Sequence, residues 1–257
     1  MQTVKRNREE ANMAGGMTEF CEQVNPRVLL EMRSARPFPE MRRVQESWVA
    51  EAEKRVLLGL AARTPQWIGP DHLTALGLAA QIGAGVCYAL AARNRYALLG
   101  VVVCLALNWL GDSLDGTLAR VRQQLRPRYG FYVDHMVDSF GALALMGGLA
   151  LSGYMQPWIA TGLLVAFLML SIQSYLATHA LGDFQLSFWR FGPTELRILL
   201  VVGNLALFWK PRVHFLGGYF KLFDVGGAIG LAGMALIVIF FTGQNTLRLY
   251  HEERIAR

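Results

Sequence analysis

Long uncharged stretches alternate with short polar clusters along this chain. From His72 to Ala92 the only acidic or basic side chain is the histidine, and a second apolar run goes from Tyr96 to Gly111, where Asp112 interrupts it. Between Ser139 and Gly182 there is no Asp, Glu, Lys or Arg. That length suffices for two helices, and Ser152-Gly153-Tyr154-Met155-Gln156-Pro157 supplies the turn between them. Two more runs follow, from Pro193 to Trp209 and from Val225 to Leu247. Since about 20 apolar residues cross a bilayer as a helix, the pattern predicts an all-α polytopic membrane domain over residues 66–250. It has six transmembrane helices and ends in a short cytosolic tail at 251–257.

The first part of the chain reads differently. Residues 1–26 are polar and lack the apolar centre of a secretory signal; residues 1–38 are expected to form a disordered extension. Within 39–65, the stretch from Met41 to Arg63 sets Val44, Trp48, Val49, Ala52, Val56, Leu57 and Leu60 at helical spacing. Arg42, Arg43, Lys54 and Arg55 flank or oppose them. An N-terminal amphipathic helix lying along the membrane surface accounts for this pattern, and so does a helix folded onto the protein.

Composition narrows the class. Of 257 residues, 53% are hydrophobic and 17% charged, against roughly 25% charged in a soluble domain; the mean hydropathy is +0.30. These values exclude a soluble globular enzyme, a disordered regulator and a disulfide scaffold. Cys21, Cys87 and Cys104 have no metal-ligand spacing and read as inert thiols. The net charge of +6 has a sided distribution. The Arg-rich N-terminal region, Arg120, Arg122, Arg126 and Arg128 after the second helix, and Arg248, Arg254 and Arg257 at the end fall on one side of a six-helix topology. The Ser152–Pro157 turn on the other side is uncharged, although Arg93, Arg95 and the Lys210–Lys221 segment are there too. The balance puts both termini in the cytosol. No stacking-aromatic or helix-turn-helix pattern points to nucleic acid.

Chemistry concentrates between Asn108 and Gly141. Asp112 and Asp115 are spaced i, i+3, and Asp134 and Asp138 are spaced i, i+4, so each pair shares one helical face. Apolar sequence precedes the first pair and follows the second. All four therefore lie at one end of a helical hairpin, whose loop has Arg126-Pro127-Arg128 near its middle. An ionised Asp deep in a membrane helix costs about 2.5–3.5 kcal/mol on insertion scales, and like charges nearby add to that. An all-oxygen cluster suits hard divalent ions such as Mg²⁺ or Mn²⁺, and two such ions would clamp a phosphoryl group in displacement. The competing reading makes the aspartates helix caps or partners of the loop arginines. Gly116, Ala119 and Gly130 leave the backbone open to close approach, and Arg120 offers a phosphate-binding guanidinium.

Asp112-x-x-Asp115-Gly116-x-x-Ala119-Arg120, nine residues, then Gly130-x-x-x-Asp134-x-x-x-Asp138 resembles the signature of the CDP-alcohol phosphatidyltransferases at every fixed position. Pro70 and Thr74 are similar to a looser Pro-x-x-x-Thr element of that family. The resemblance covers residues 66–250. It implies a membrane enzyme of phospholipid biosynthesis that cleaves a CDP-linked donor, releases CMP and joins the remaining phosphate to a lipid or polar alcohol. It also implies two divalent cations, Mg²⁺ or Mn²⁺, a site on the cytosolic side, and a homodimer. By carry-over, Asp112, Asp115, Asp134 and Asp138 hold metal, and Asp138 is the candidate general base. Gly116, Ala119, Arg120 and Thr74 border the nucleotide. Asp134-His135-x-x-Asp138 is similar to the choline and ethanolamine phosphotransferase branch, which makes His135 a second candidate base. A packed or hydrogen-bonded bystander is the plainer reading of a lone histidine.

Other polar residues in apolar surroundings are Gln173, Ser174, His179, Arg190, Thr194, Glu195, Arg197 and Asn204. Glu195 and Arg197 enter a helix from the aspartate side and are open to two readings, headgroup binding or a cap of the fifth helix. The tryptophans fall mostly near segment ends, as an interfacial belt does. Two rivals remain: a polyprenyl transferase, suggested by Asn108-x-x-x-Asp112, and a divalent-cation transporter. The first expects a second aspartate-rich segment, and the second expects internal repeats; neither feature is evident in this sequence.

Overall fold

The computed structural model describes residues 42–44, 50–181, 183–185, 193–215 and 217–253. Its helices are α1 (Ala50–Arg63), α2 (Pro70–Ala91), α3 (Ala97–Val121), α4 (Pro127–Leu151), α5 (Pro157–Leu181), α6 (Pro193–Trp209) and α7 (Leu222–Glu252). Two short pairings accompany them. Strand β1 (Arg42–Val44) runs parallel to β2 (Asp183–Gln185), and β3 (Arg212–Phe215) pairs antiparallel with β4 (Gly218–Lys221) through a turn at Gly217, where φ is +84°.

A helix stands at each of the six apolar segments. Four of them, α2, α3, α5 and α7, are long and apolar enough to cross a membrane. Helix α4 carries Arg128, Asp134 and Asp138 in its first half, and α6 has 17 residues, about 25 Å of helix. Proline opens α2, α4, α5 and α6. Its missing N–H costs nothing at the first helical position, where no intrahelical acceptor exists. At the start of α2 the Gly69 amide also donates to His72 Nδ1 at 3.0 Å, which satisfies one of the free donors of the helix end.

Two boundaries differ from expectation. The N-terminal helix begins at Ala50, not near residue 41, because residues 42–44 pair as a strand with 183–185. The turn of the aspartate hairpin is Arg122–Arg126, with Gln123 at φ 55°, and Arg126-Pro127-Arg128 closes it, since Pro127 already starts α4. The expected disordered extension over 1–38, Cys21, Trp48 and Arg190 lie outside the described residues.

Helix α2 is the spine of the bundle, flanked by α3 and α4, while α5 packs against α4 and α7. Close approach depends on glycine where a side chain would meet backbone. A Cβ on Gly85 would lie 2.2 Å from Ala144 O, one on Gly148 1.9 Å from Gly85 O, and one on Gly111 2.6 Å from Leu73 O. The core around these crossings includes Tyr88, Leu98, Val101, Leu105, Leu145, Leu149 and Ile159. Tyr88 is tied in by Asn204 Nδ2, which donates to its hydroxyl at 2.7 Å. Helix α1 buries Leu57 and Ala61 against Leu73, Leu114 and Leu118 and turns Val56 and Leu58 outward.

Gly148→Val is expected to lower the unfolding temperature in detergent by the equivalent of about 1–3 kcal/mol or more, because the added methyls meet backbone that cannot move aside. Gly147→Ala, where a Cβ meets nothing within 4 Å, is expected to leave it unchanged or raise it.

Candidate active site

The last three turns of α3 and the first four of α4 carry the aspartate pairs, and the helical spacing turns both pairs inward. Asp112, Asp115, Asp134 and Asp138 line one cleft with Thr74 and Gly77 of α2, Asn108 of α3 and Val137 of α4. The cleft is nearly closed, with about 10 Å³ of free space, roughly what one water molecule occupies. Asp115 is buried and the other three are half-buried.

Each of the first two aspartates is oriented by a specific partner. Thr74 Oγ1 donates to Asp115 Oδ2 at 2.6 Å, and the Gly116 amide donates to Asp115 Oδ1 at 2.5 Å. Arg197, from the first turns of α6, donates through Nη2 to Asp112 Oδ2 at 2.5 Å and through Nε to Asn108 Oδ1 at 2.8 Å. Asn108 Nδ2 in turn donates to Gly77 O at 3.0 Å. The network runs from the α2 backbone through Asn108 and Arg197 to Asp112, and it supplies one resident positive charge to an acidic cleft.

The reading in which the loop arginines neutralise the aspartates fits poorly with two of them. Arg122 donates to the carbonyls of Ile68, Thr64 and Pro65 at 2.6, 2.9 and 2.9 Å, and Arg126 pairs with Asp71 and stacks over Tyr129. Arg120 is exposed and folds back so that Nε donates to Gly116 O at 3.0 Å. Gly116 itself is not demanded by packing: a Cβ there would lie 3.6 Å from Arg120 Nη2 and touch nothing else within 4 Å. Gly130 meets nothing within 4 Å. These two motif glycines and half-exposed Ala119 therefore leave accessible backbone at the rim, unlike Gly85, Gly111 and Gly148.

His135 is one helical step from Asp134 and does not line the cleft. Its Nδ1 lies 2.5 Å from Phe131 O, and its ring packs between Phe131 and Tyr175, with centroids at 4.2 and 4.4 Å. Gln173, Ser174, His179, Glu195 and Asn204 do not line the cleft either. Among the described residues of that group, Arg197 reaches the cleft through Asp112. Gly77 was not legible as a site residue, and Asn108, one turn before Asp112, drew notice only through the rival Asn108-x-x-x-Asp112 motif.

Four carboxylates around one space, with no nitrogen or sulfur donor, match the preference of hard divalent ions for oxygen. Among the described residues no three His, Cys, Asp or Glu side chains come together so as to hold a metal ion, and Arg197 takes up one oxygen of Asp112. The donor chemistry of the four carboxylates suits a divalent ion.

The model of the CDP-alcohol phosphatidyltransferase family matches residues 67–242, a span that contains every residue of the cleft together with Arg197. The chain belongs to this family. No curated protein matches it as a relative. Membership and the four apolar helices make it a multi-pass membrane transferase of CDP-alcohol chemistry, in a family that uses divalent cations.

Arg197→Met should destabilise the protein by about 1–3 kcal/mol, because Asn108 Oδ1 and Asp112 Oδ2 lose their donors in a poorly hydrated site. Thermal unfolding in detergent measures this. Asp112→Asn added to Arg197→Met should cost less than it does alone.

Proposed function

We propose that the cleft carries out transfer of a substituted phosphate from a CDP-linked donor to an alcohol, with release of CMP, and that it requires two divalent cations held by Asp112, Asp115, Asp134 and Asp138. The observation that carries this reading is that all four carboxylates line one small cleft. Bound there, the ions would neutralise the pyrophosphate and stabilise CMP as leaving group. Thr74 fixes the carboxylate of Asp115 and Arg197 that of Asp112, so both are held in place before a donor arrives. The open backbone at Gly116 and Gly130, with Ala119 and Arg120 beside it, is where the nucleotide would rest, outside the enclosed space. Asp138 lines the cleft and is the better candidate to take the proton of the attacking hydroxyl. The ring of His135 is packed among Phe131 and Tyr175.

The rest of the assignment follows from the same reading. All six helices from α2 to α7 cross the membrane, α1 lies at the lipid surface, and both termini and the cleft face the cytosol, where a water-soluble nucleotide meets a lipid. The donor is CDP-diacylglycerol, CDP-choline or CDP-ethanolamine, the acceptor is a lipid or polar alcohol, and the enzyme is a homodimer. A cation transporter would also use the aspartates, but it gives no reason for the unobstructed glycines at the rim.

Purified protein supplied with each of these donors, lipid and polar acceptors, and Mg²⁺ or Mn²⁺ is expected to release CMP with one donor class. Asp115→Asn and Asp134→Asn should each abolish turnover, and unchanged rates in both would defeat the assignment. His135→Ala is expected to retain activity and Asp138→Asn to lose it. Gly116→Ala separates binding from folding: stability should hold or rise by up to about 1 kcal/mol, as for Gly→Ala in a helix, while turnover falls.

A further inference from the structure

Glu53, on α1, receives hydrogen bonds from two other helices. Trp109 Nε1 and Ser113 Oγ of α3 donate to its Oε1 at 2.8 and 3.0 Å, and Thr194 Oγ1 of α6 lies 3.1 Å from Oε1 and 3.3 Å from Oε2. The carboxylate is half-buried. Its partners flank the site. Trp109 and Ser113 stand on either side of Asp112 along α3, and Thr194 is one turn before Arg197 on α6. The same regions are joined a second time, because β1, which precedes α1, pairs with β2, which precedes α6. Apolar packing of Leu57 and Ala61 holds α1 to the bundle, and Arg122 binds the carbonyls just beyond its end. Hydrogen bonds to a carboxylate are directional and about twice as strong as neutral ones, and those of Glu53 add a tie from α1 to both α3 and α6.

We propose that Glu53 is a positioning residue for the aspartate cleft: it clamps the start of α6 against α3, and this brings the Arg197 guanidinium to Asn108 and Asp112. Helix α1 is then a structural wall of the site as well as a lipid-facing element. The kinetic side of this inference rests on the function proposed above. The structural side does not.

Two readouts test it on the purified full-length protein in detergent: backbone amide exchange at Arg197–Val201, and Mn²⁺ affinity followed by the electron paramagnetic resonance of the free ion. In Glu53→Ala, exchange over 197–201 should accelerate at least about tenfold, as local opening of α6 becomes easier. Mn²⁺ half-saturation should rise about tenfold, the usual effect of losing an outer-shell partner. Glu53→Gln, which keeps an acceptor oxygen, should recover most of both. Adding Glu53→Ala to Arg197→Met should weaken Mn²⁺ by less than about twofold further, since both act through one contact. A folded Glu53→Ala with wild-type exchange overturns the inference, and so does a double variant whose effects multiply in full. If Glu53→Ala does not fold, Thr194→Val removes one donor and is judged by the same exchange criterion. A wild-type protein that neither binds Mn²⁺ nor releases CMP would defeat the proposed function alone, and amide exchange would still decide the role of Glu53.

Discussion

Negative charge crowded into a poorly hydrated cleft is the constraint around which the site is built. Four carboxylates at the facing ends of two antiparallel helices repel one another and lose hydration, so each must be compensated. The protein does part of this itself. Arg197 neutralises Asp112 and Thr74 donates to Asp115, while Arg122 and Arg126 are drawn off to neighbouring carbonyls and to Asp71. The acidic side chains share one small space lined by oxygen, and the proposed divalent ions would answer that concentration of negative charge.

Glycine does two different jobs within a few turns. Gly85, Gly111 and Gly148 let helix backbones approach to distances that no Cβ permits, and this holds α2 close enough to α3 and α4 for Thr74 and Gly77 to complete the cleft. Gly116 and Gly130 have open space where a side chain would go. Packing explains the first group. Packing does not require the second group, and the proposed nucleotide contact would give them a use.

Helix α1 changes the usual division between a catalytic bundle and a membrane-surface helix. Its apolar inner face is buried on α2 and α3, and Glu53 ties it to the residues on either side of Asp112 and to the helix that delivers Arg197. Val56 and Leu58 on its outer side remain available to lipid. The same short helix therefore carries apolar side chains on its outer face and a carboxylate bonded to both helices that flank Asp112 and Arg197.

The helices, the family and the aspartate quartet were all legible in the sequence. Apolar run length and carboxylate spacing are local properties that a regular helix converts directly into position. The start of α1 and the exact hairpin turn were not, because a strand pairing with residues 183–185 and the fixed φ of Pro127 override hydrophobic periodicity there. Nor could the partners of the aspartates be read. Arg197 stands 85 residues from Asp112, Thr74 41 from Asp115, and Glu53 141 from Thr194. Sequence spacing determined which residues share a helical face. Which face meets which, and so which charges are compensated and which glycines stay open, was decided by helix packing alone, since that depends on contacts between segments far apart along the chain.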